Sequence, residues 1–199
     1  MIKEFEPLAS ATLHLALDLD SRSNIGSGRH ATLEYALRIA GSIARYATLN
    51  GLRIRLSAES KRSLHIPFGS GEFHYRTILD ALAIIDADGT VPYAVFLEKL
   101  SQQCSSGETI VIFLASPPAQ TDAILSAASL LRAKRVHLFA ILLDRDSFLL
   151  NTNEASLRSK GNGSRERQSK NILFSGLLNL DAHCIQVRNH DDLPRIFNP

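Results

Sequence analysis

Cysteine is scarce: Cys104 and Cys184 are the only two in 199 residues. They lie far apart, with no C-x-x-C spacing and no other sign of a disulfide scaffold, so both read as reduced, buried thiols and a cytoplasmic setting follows. Net charge is nearly absent as well. At +2 the chain carries too little to imply a nucleic-acid or membrane partner, although a pI near 8.6 leaves room for a local basic patch. Long apolar runs are missing too. The longest, Val136 to Leu143 with His137 discounted, falls far short of the roughly 20 residues of a spanning helix, and "MIKEFEP" lacks the apolar stretch of a signal peptide. The chain itself is therefore expected to be soluble and to make no membrane contact. Finally, the usual catalytic signatures are wanting. The seven histidines form no H-x-x-x-H or H-E-x-x-H, no G-x-S-x-G elbow exists, and no P-loop G-K-[ST] occurs.

What is present is ordinary globular material, 45% hydrophobic and 21% charged, enough for one substantial core and one domain over residues 1–199. "ATLHLALDLD" (11–20) has the density of a buried central strand. After a loop, Leu33, Ala36, Leu37, Ala40, Ile43, Ala44 and Ala47 recur at helical spacing, and Asn50-Gly51 supplies a left-handed stop. "LRIRLSAES" alternates as a strand, and "LHIPF" returns beside it as a short edge strand ending at its proline. The segments "EFHYRTILDALAII" and "PYAVFLEKLSQQC" read as helices separated by the turn-rich "DADGTVP". "ETIVIFLAS" is a buried strand, "PPAQTDAILSAASLLRA" a helix and "KRVHLFAILLD" another strand. From 151 to 170 periodicity is lost, which predicts an exposed flexible loop whose basic residues Arg158, Lys160, Arg165, Arg167 and Lys170 are solvated. One more helix, the strand "HCIQVR" and a last short helix from Asp191 to Phe197 complete the chain. This alternation predicts an α/β fold in three layers: a mostly parallel central sheet with one short antiparallel edge strand and helices on both faces.

Several stretches, "KEFEP", "LEYALRIAGSIA" (33–44), "PFGSGEFHYRTILDALA" (67–83), "LLDRDSF" (142–148) and "NHDDLPRIF" (189–197), resemble in order and spacing the bacterial domain of unknown function 58 family. Its conserved part looks like a von Willebrand factor A domain. The resemblance implies an upstream region, often with membrane helices, so that the full-length protein would be membrane-anchored. It also implies a MoxR-type AAA+ ATPase as partner, in assembly or maturation.

A von Willebrand factor A-like fold further implies a metal-ion-dependent adhesion site: D-x-S-x-S after the first strand, a threonine from a second loop and an aspartate after the fourth strand. Magnesium wants six oxygens at near-octahedral angles, and such loops supply them. In "LALDLDSRSN" (15–24) neither register of that motif fits. Starting at Asp18 puts Asp20 and Arg22 where serines belong, and starting at Asp20 puts Arg22 and Asn24 there. A guanidinium ~4 Å from a dication is repelled by about 8 kcal/mol at an effective dielectric near 20. For the threonine, "HYRTIL" offers Arg76 or Thr77, and strand four ends in "FLASPP", with Ser116 and no acid before Asp122.

The expectation is therefore a non-enzymatic protein-interaction domain without a cofactor. Its partner-binding face is the rim of a degenerate adhesion site: Asp18, Asp20, Ser21, Arg22, Ser23, Arg76, Thr77 and Ser116, with Asp18 and Asp20 capping loops or pairing with Arg22, Arg29 or Arg76. Two alternatives stay open. A one-residue insertion would let Asp18, Ser21 and Ser23 hold magnesium or manganese for adhesion-type ligand binding. "GSGRHA" (26–31) would let Gly26, Gly28 and the following helix serve an anion- or nucleotide-binding enzyme, although "SRSNI" separates these glycines from the strand. Glu34, on a mostly apolar helix, is read as a capping or buried ion-pair acid.

Overall fold

The computed structural model describes residues 12–115, 117–149 and 163–197. Its elements run β1 (Thr12–Leu17), α1 (Thr32–Leu49), β2 (Arg53–Glu59), β3 (Ser63–Gly69), α2 (Gly71–Ala83), α3 (Tyr93–Gln103), β4 (Thr109–Leu114), α4 (Thr121–Ala133), β5 (His137–Leu143), α5 (Arg145–Leu149), α6 (Gly163–Asn179), β6 (His183–Val187) and α7 (Leu193–Phe197). The six strands form one sheet in the order β3-β2-β1-β4-β5-β6, parallel except for β3, which returns antiparallel to β2.

The period-2 geometry of β1 divides the core. Leu15 and Leu17 face one side with Ile39, Ala40, Ile54, Ile78 and Phe113. Ala16 faces the other with Tyr93, Leu97, Ile112, Ile124 and Ala128. Helix α1 lays a stripe of Tyr35, Ala36, Ile39, Ala40, Ala44 and Ala47 against the sheet. It ends as its sequence requires: Leu52 N–H donates to Ala47 O at 2.8 Å and Gly51 N–H to Thr48 O at 3.2 Å, with Gly51 at φ +64°.

Four expectations need correction. The edge strand does not end at Pro67. It continues to Gly69 through a register shift opposite the step from Ile54 to Leu56, so the residue lacking an N–H sits at a bulge. Residues 163–170, expected within a flexible loop from 151 to 170, form the first turns of α6. Lys170, expected to be solvated, pairs with Asp144 at 2.7 Å instead. The remainder of that loop, with Arg158 and Lys160, lies outside the described residues. Cys104 is buried as expected, but Cys184 is only half-buried.

A polar cluster lies within this apolar frame, towards the amino-terminal ends of β1 and β4. His14 Nε2 is 2.9 Å from Ser57 Oγ, which is 3.1 Å from His65 Nδ1. Nearby, Arg55 Nη2 donates to Glu108 Oε2 at 2.8 Å, while Glu108 Oε1 accepts from Ser105 N–H at 3.0 Å. Burial first, then the positive charges of Arg55 and His65, lower the pKa of His14 from 6.5 to about 3.

This fixes the sign of a pH effect. The unfolded chain protonates His14 with ordinary affinity below 6.5, whereas the folded chain resists protonation until about pH 3. The contribution is therefore full above pH 6.5 and is lost as pH falls through that window. Denaturant unfolding followed at stepped pH is expected to show stability decreasing between about pH 6.5 and 5, a range in which carboxylates titrate little. His14→Asn is expected to flatten that slope; an unchanged slope would rule out His14 as its source.

Candidate functional site

The strand order changes direction between β1 and β4, which opens a crevice at their carboxyl ends. Tyr93 widens it. Its fully buried hydroxyl donates to Ala16 O at 2.6 Å and accepts from Phe113 N–H at 3.2 Å, inserting between groups that would otherwise close the next rung of the ladder. Burial, and secondarily the negative charge of Asp18, push the Tyr93 hydroxyl pKa well above its ordinary value, so it remains a donor.

The loop leaving β1 crosses this crevice. Asp18 and Asp20 are both buried. Asp18 Oδ1 accepts from Asp20 N–H at 3.1 Å, and Asp20 Oδ1 accepts from Arg22 N–H at 3.0 Å. Arg22 then folds its side chain back over the same carboxylate, with Nε donating to Oδ1 and Nη2 to Oδ2, each at 2.9 Å. Gln120 Nε2 adds a weaker contact to Oδ2 at 3.4 Å. Burial alone would push the Asp20 carboxyl up. The hydrogen bonds from Arg22 and Gln120, with the charge of Arg22, outweigh it and hold the group below the usual carboxylate range. The Asp20 side chain has no exposure, whereas that of Arg22 is 56% exposed, so the pair presents its cationic half to solvent.

Three neighbours hold the loop. Asn24 Nδ2 donates to Asp18 O at 2.8 Å and Asp20 O at 3.2 Å. Thr32, at the start of α1, bonds to Asn24 and Ile25. Arg145 of α5 reaches across to donate to the carbonyls of Ser23, Ala115 and Arg22, tying the ends of β1, β4 and β5 together. Ser21 is exposed, and the buried Ser23 hydroxyl has no partner among the described residues.

Arg76 and Thr77 do not belong to this rim. Both sit on α2, where Arg76 pairs with Glu72 at 3.6 Å and Thr77 Oγ1 donates to Phe73 O at 3.1 Å. The second loop is instead the one carrying Gly89 and Thr90. Gly89 N–H donates to Leu19 O at 2.9 Å, Ser21 N–H donates to Gly89 O at 3.0 Å, and Arg22 Nη2 lies 3.4 Å from Thr90 O. Its signal in the sequence is the "DGT" inside "DADGTVP", a stretch whose composition points only to a turn. Ser116 lies outside the described residues. Glu34, expected to cap or to form a buried pair, is half-exposed and meets Arg38 at 3.3 Å. Arg145, Gln120 and Tyr93 carry no local sequence signal as site residues, since their roles depend on distant segments meeting.

The glycine loop lines a separate cavity. Gly26, Ser27 and Gly28 share it with Glu34 and Asp86, a carboxylate-bearing wall that disfavours an anion at the amino terminus of α1.

Comparison with known proteins agrees with this fold. The family model described as "Protein of unknown function DUF58" matches residues 1–141, which leaves both "LLDRDSF" (142–148) and "NHDDLPRIF" (189–197) beyond the matched part. No curated protein matches the sequence. Among solved structures, the conserved hypothetical protein BatB from Bacteroides thetaiotaomicron superimposes with a TM-score of 0.57 at 10% identity, covering 94% of this chain and 95% of that one. An aerotolerance-related membrane protein from Bacteroides fragilis, carrying multiple mutations to serines, gives 0.55 at 13% identity, with 94% and 96% covered. The pilus adhesin SpaC from Lactobacillus rhamnosus GG gives 0.55 at 11%, covering 88% of this chain and 31% of its own. The shared architecture is the von Willebrand factor A-like one.

Gly89 offers a direct test of how the rim is assembled. A Cβ built there would stand 2.6 Å from Glu59 O and 2.8 Å from Leu19 O, both backbone atoms that cannot swing away. Gly89→Ala is expected to destabilise the fold by about 1–3 kcal/mol and to speed hydrogen exchange at the amides of Gly89 and Ser21. Unchanged stability and exchange would mean that the two loops are not held in register by this contact.

Proposed function

The chain belongs to the DUF58 family, and from that premise together with the rim geometry we propose that it is a non-enzymatic protein-interaction domain. Its docking face is the set of loops at the carboxyl ends of β1, β4 and β5. The observation that carries this reading is the bidentate Arg22–Asp20 pair, which seals a buried carboxylate and turns an exposed guanidinium outward at the meeting point of four loops.

The ion that a von Willebrand factor A-like fold would imply does not suit Asp20 beside Arg22. A magnesium site needs near-octahedral oxygens. Both oxygens of Asp20 already accept from Arg22 at 2.9 Å, and the position expected to supply a hydroxyl supplies that guanidinium. Cation and guanidinium would compete for one carboxylate while repelling each other. The anion- or nucleotide-binding alternative meets the opposite difficulty, since Glu34 and Asp86 line the cavity at Gly26 and Gly28.

The partner proposed is a MoxR-type AAA+ ATPase acting in assembly or maturation, the class implied by the family resemblance. No helix among the described residues is long and apolar enough to cross a membrane. Anchoring of a full-length protein through an upstream region is part of the same proposal.

Binding of a purified MoxR-type ATPase to this chain, measured with a chelator present, tests the reading. Capture is expected to survive chelation, to weaken at high salt and to weaken about ten-fold in Arg22→Glu, while Lys134→Glu, at the opposite end of the sheet, leaves it intact. Loss of capture on chelation, or sensitivity to Lys134→Glu but not to Arg22→Glu, would contradict it.

A further inference from the structure

The buried cluster at the other end of the sheet serves no purpose in the rim, yet its donor atoms form a chemically coherent set. His14 from β1, Cys104 following α3 and Glu108 preceding β4 each offer one ligand atom, and these atoms lie within 4.8 Å of one another. His14 is fully buried, and Cys104 and Glu108 are each 7% exposed. His14 Nδ1 stands 4.0 Å from Cys104 Sγ. In a tetrahedral zinc site, bond lengths of about 2.3 Å to sulfur and about 2.0 Å to nitrogen separate neighbouring ligand atoms by about 3.5 Å, so small side-chain rotations would bring the set together.

The surroundings orient the donors. Ser57 Oγ engages the far nitrogen of His14 and relays to His65 Nδ1. When His14 Nε2–H donates into this relay, Nδ1 is left as a lone pair facing the thiol, the arrangement by which an outer hydrogen bond fixes a ligating imidazole. The cluster already holds one cation. Arg55 Nη2 donates to Glu108 Oε2 at 2.8 Å and lies 3.6 Å from Cys104 Sγ. That guanidinium is imperfectly housed: its Nε is buried without a hydrogen-bond partner among the described residues, and its Cζ stands 4.6 Å from the ring centroid of half-buried Phe68 on the edge strand.

We infer that His14, Cys104 and Glu108 form a binding site for a thiophilic divalent ion of the zinc class, in which the ion takes the place of the Arg55 guanidinium. Thiolate and imidazole select such an ion over magnesium or calcium. On binding, the Cys104 thiol loses its proton to solvent and a sulfur–metal bond forms. The dication is then balanced by one thiolate and one carboxylate, provided that Arg55 withdraws, and water completes the coordination. The site does not depend on the proposed function of the rim.

The test is titration of the intact, reduced chain with zinc by calorimetry and with cobalt by absorption. One equivalent of zinc is expected to bind, and cobalt to give a thiolate-to-metal charge-transfer band that Cys104→Ser removes and Cys184→Ser retains. Ser57→Ala, which removes only the relay, is expected to weaken zinc binding about ten-fold. Arg55→Gln, which removes the competing charge, is expected to strengthen it. No stoichiometric binding to folded protein, a cobalt band insensitive to Cys104→Ser, or zinc affinity lowered by Arg55→Gln would each overturn the assignment.

Discussion

A carboxylate with no exposed surface needs a counter-charge, and the rim depends on how that need is met. Asp20 lies two residues beyond Asp18 in a loop leading out of the sheet, and its neighbour Arg22 is near enough to fold back onto both oxygens. Pairing of this kind is directional as well as attractive, because the planar guanidinium matches the carboxylate edge to edge. It fixes the path of the β1 loop, to which Asn24, Thr32 and Arg145 then add their own bonds. The same contact decides the chemistry: an anionic pocket becomes a neutral pair with an outward-facing cation.

The sheet makes this arrangement possible. Both faces of β1 are buried, so its register against β2 and β4 is tightly specified, and the loop that follows starts from a fixed place. Tyr93 then holds β1 and β4 apart where the crevice begins. Glycine is required at position 89 because the second loop approaches the backbone of both Leu19 and Glu59 too closely for any side chain. At the opposite end, the sheet buries polar groups among its apolar ones. There Arg55 and Glu108 answer each other as Arg22 and Asp20 do at the rim, but with both partners buried.

Most of the fold could be read from local pattern. Alternation in "LRIRLSAES" and the helical stripe from Leu33 to Ala47 depend on neighbours a few residues away, and the structure places β2 and α1 there. Failures arose where a local signal was weak or misleading. Pro67 suggests a strand end, but a bulge accommodates it. The glycine- and serine-rich lead into α6 masks a helix whose anchorage comes from packing against α4, through Gly176 set close to Leu125. The site was legible in part. Asp18, Asp20 and Arg22 share one loop, so their pairing could be weighed from spacing. Thr90, Gln120 and Arg145 join them only through the tertiary fold, and matching "HYRTIL" to the threonine of an adhesion site gave Arg76 and Thr77, which sit on α2. Cys104 and His14 are separated by 90 residues, which no spacing rule relates.

The central claim is that Arg22, and not a metal ion, occupies the Asp20 carboxylate. Nuclear magnetic resonance of the Arg22 side-chain Nε–H during a magnesium titration addresses it directly. The account predicts a shifted, slowly exchanging signal that stays in place through millimolar magnesium. A saturable collapse of that signal towards the position of free arginine would show the ion displacing the guanidinium, and would contradict it.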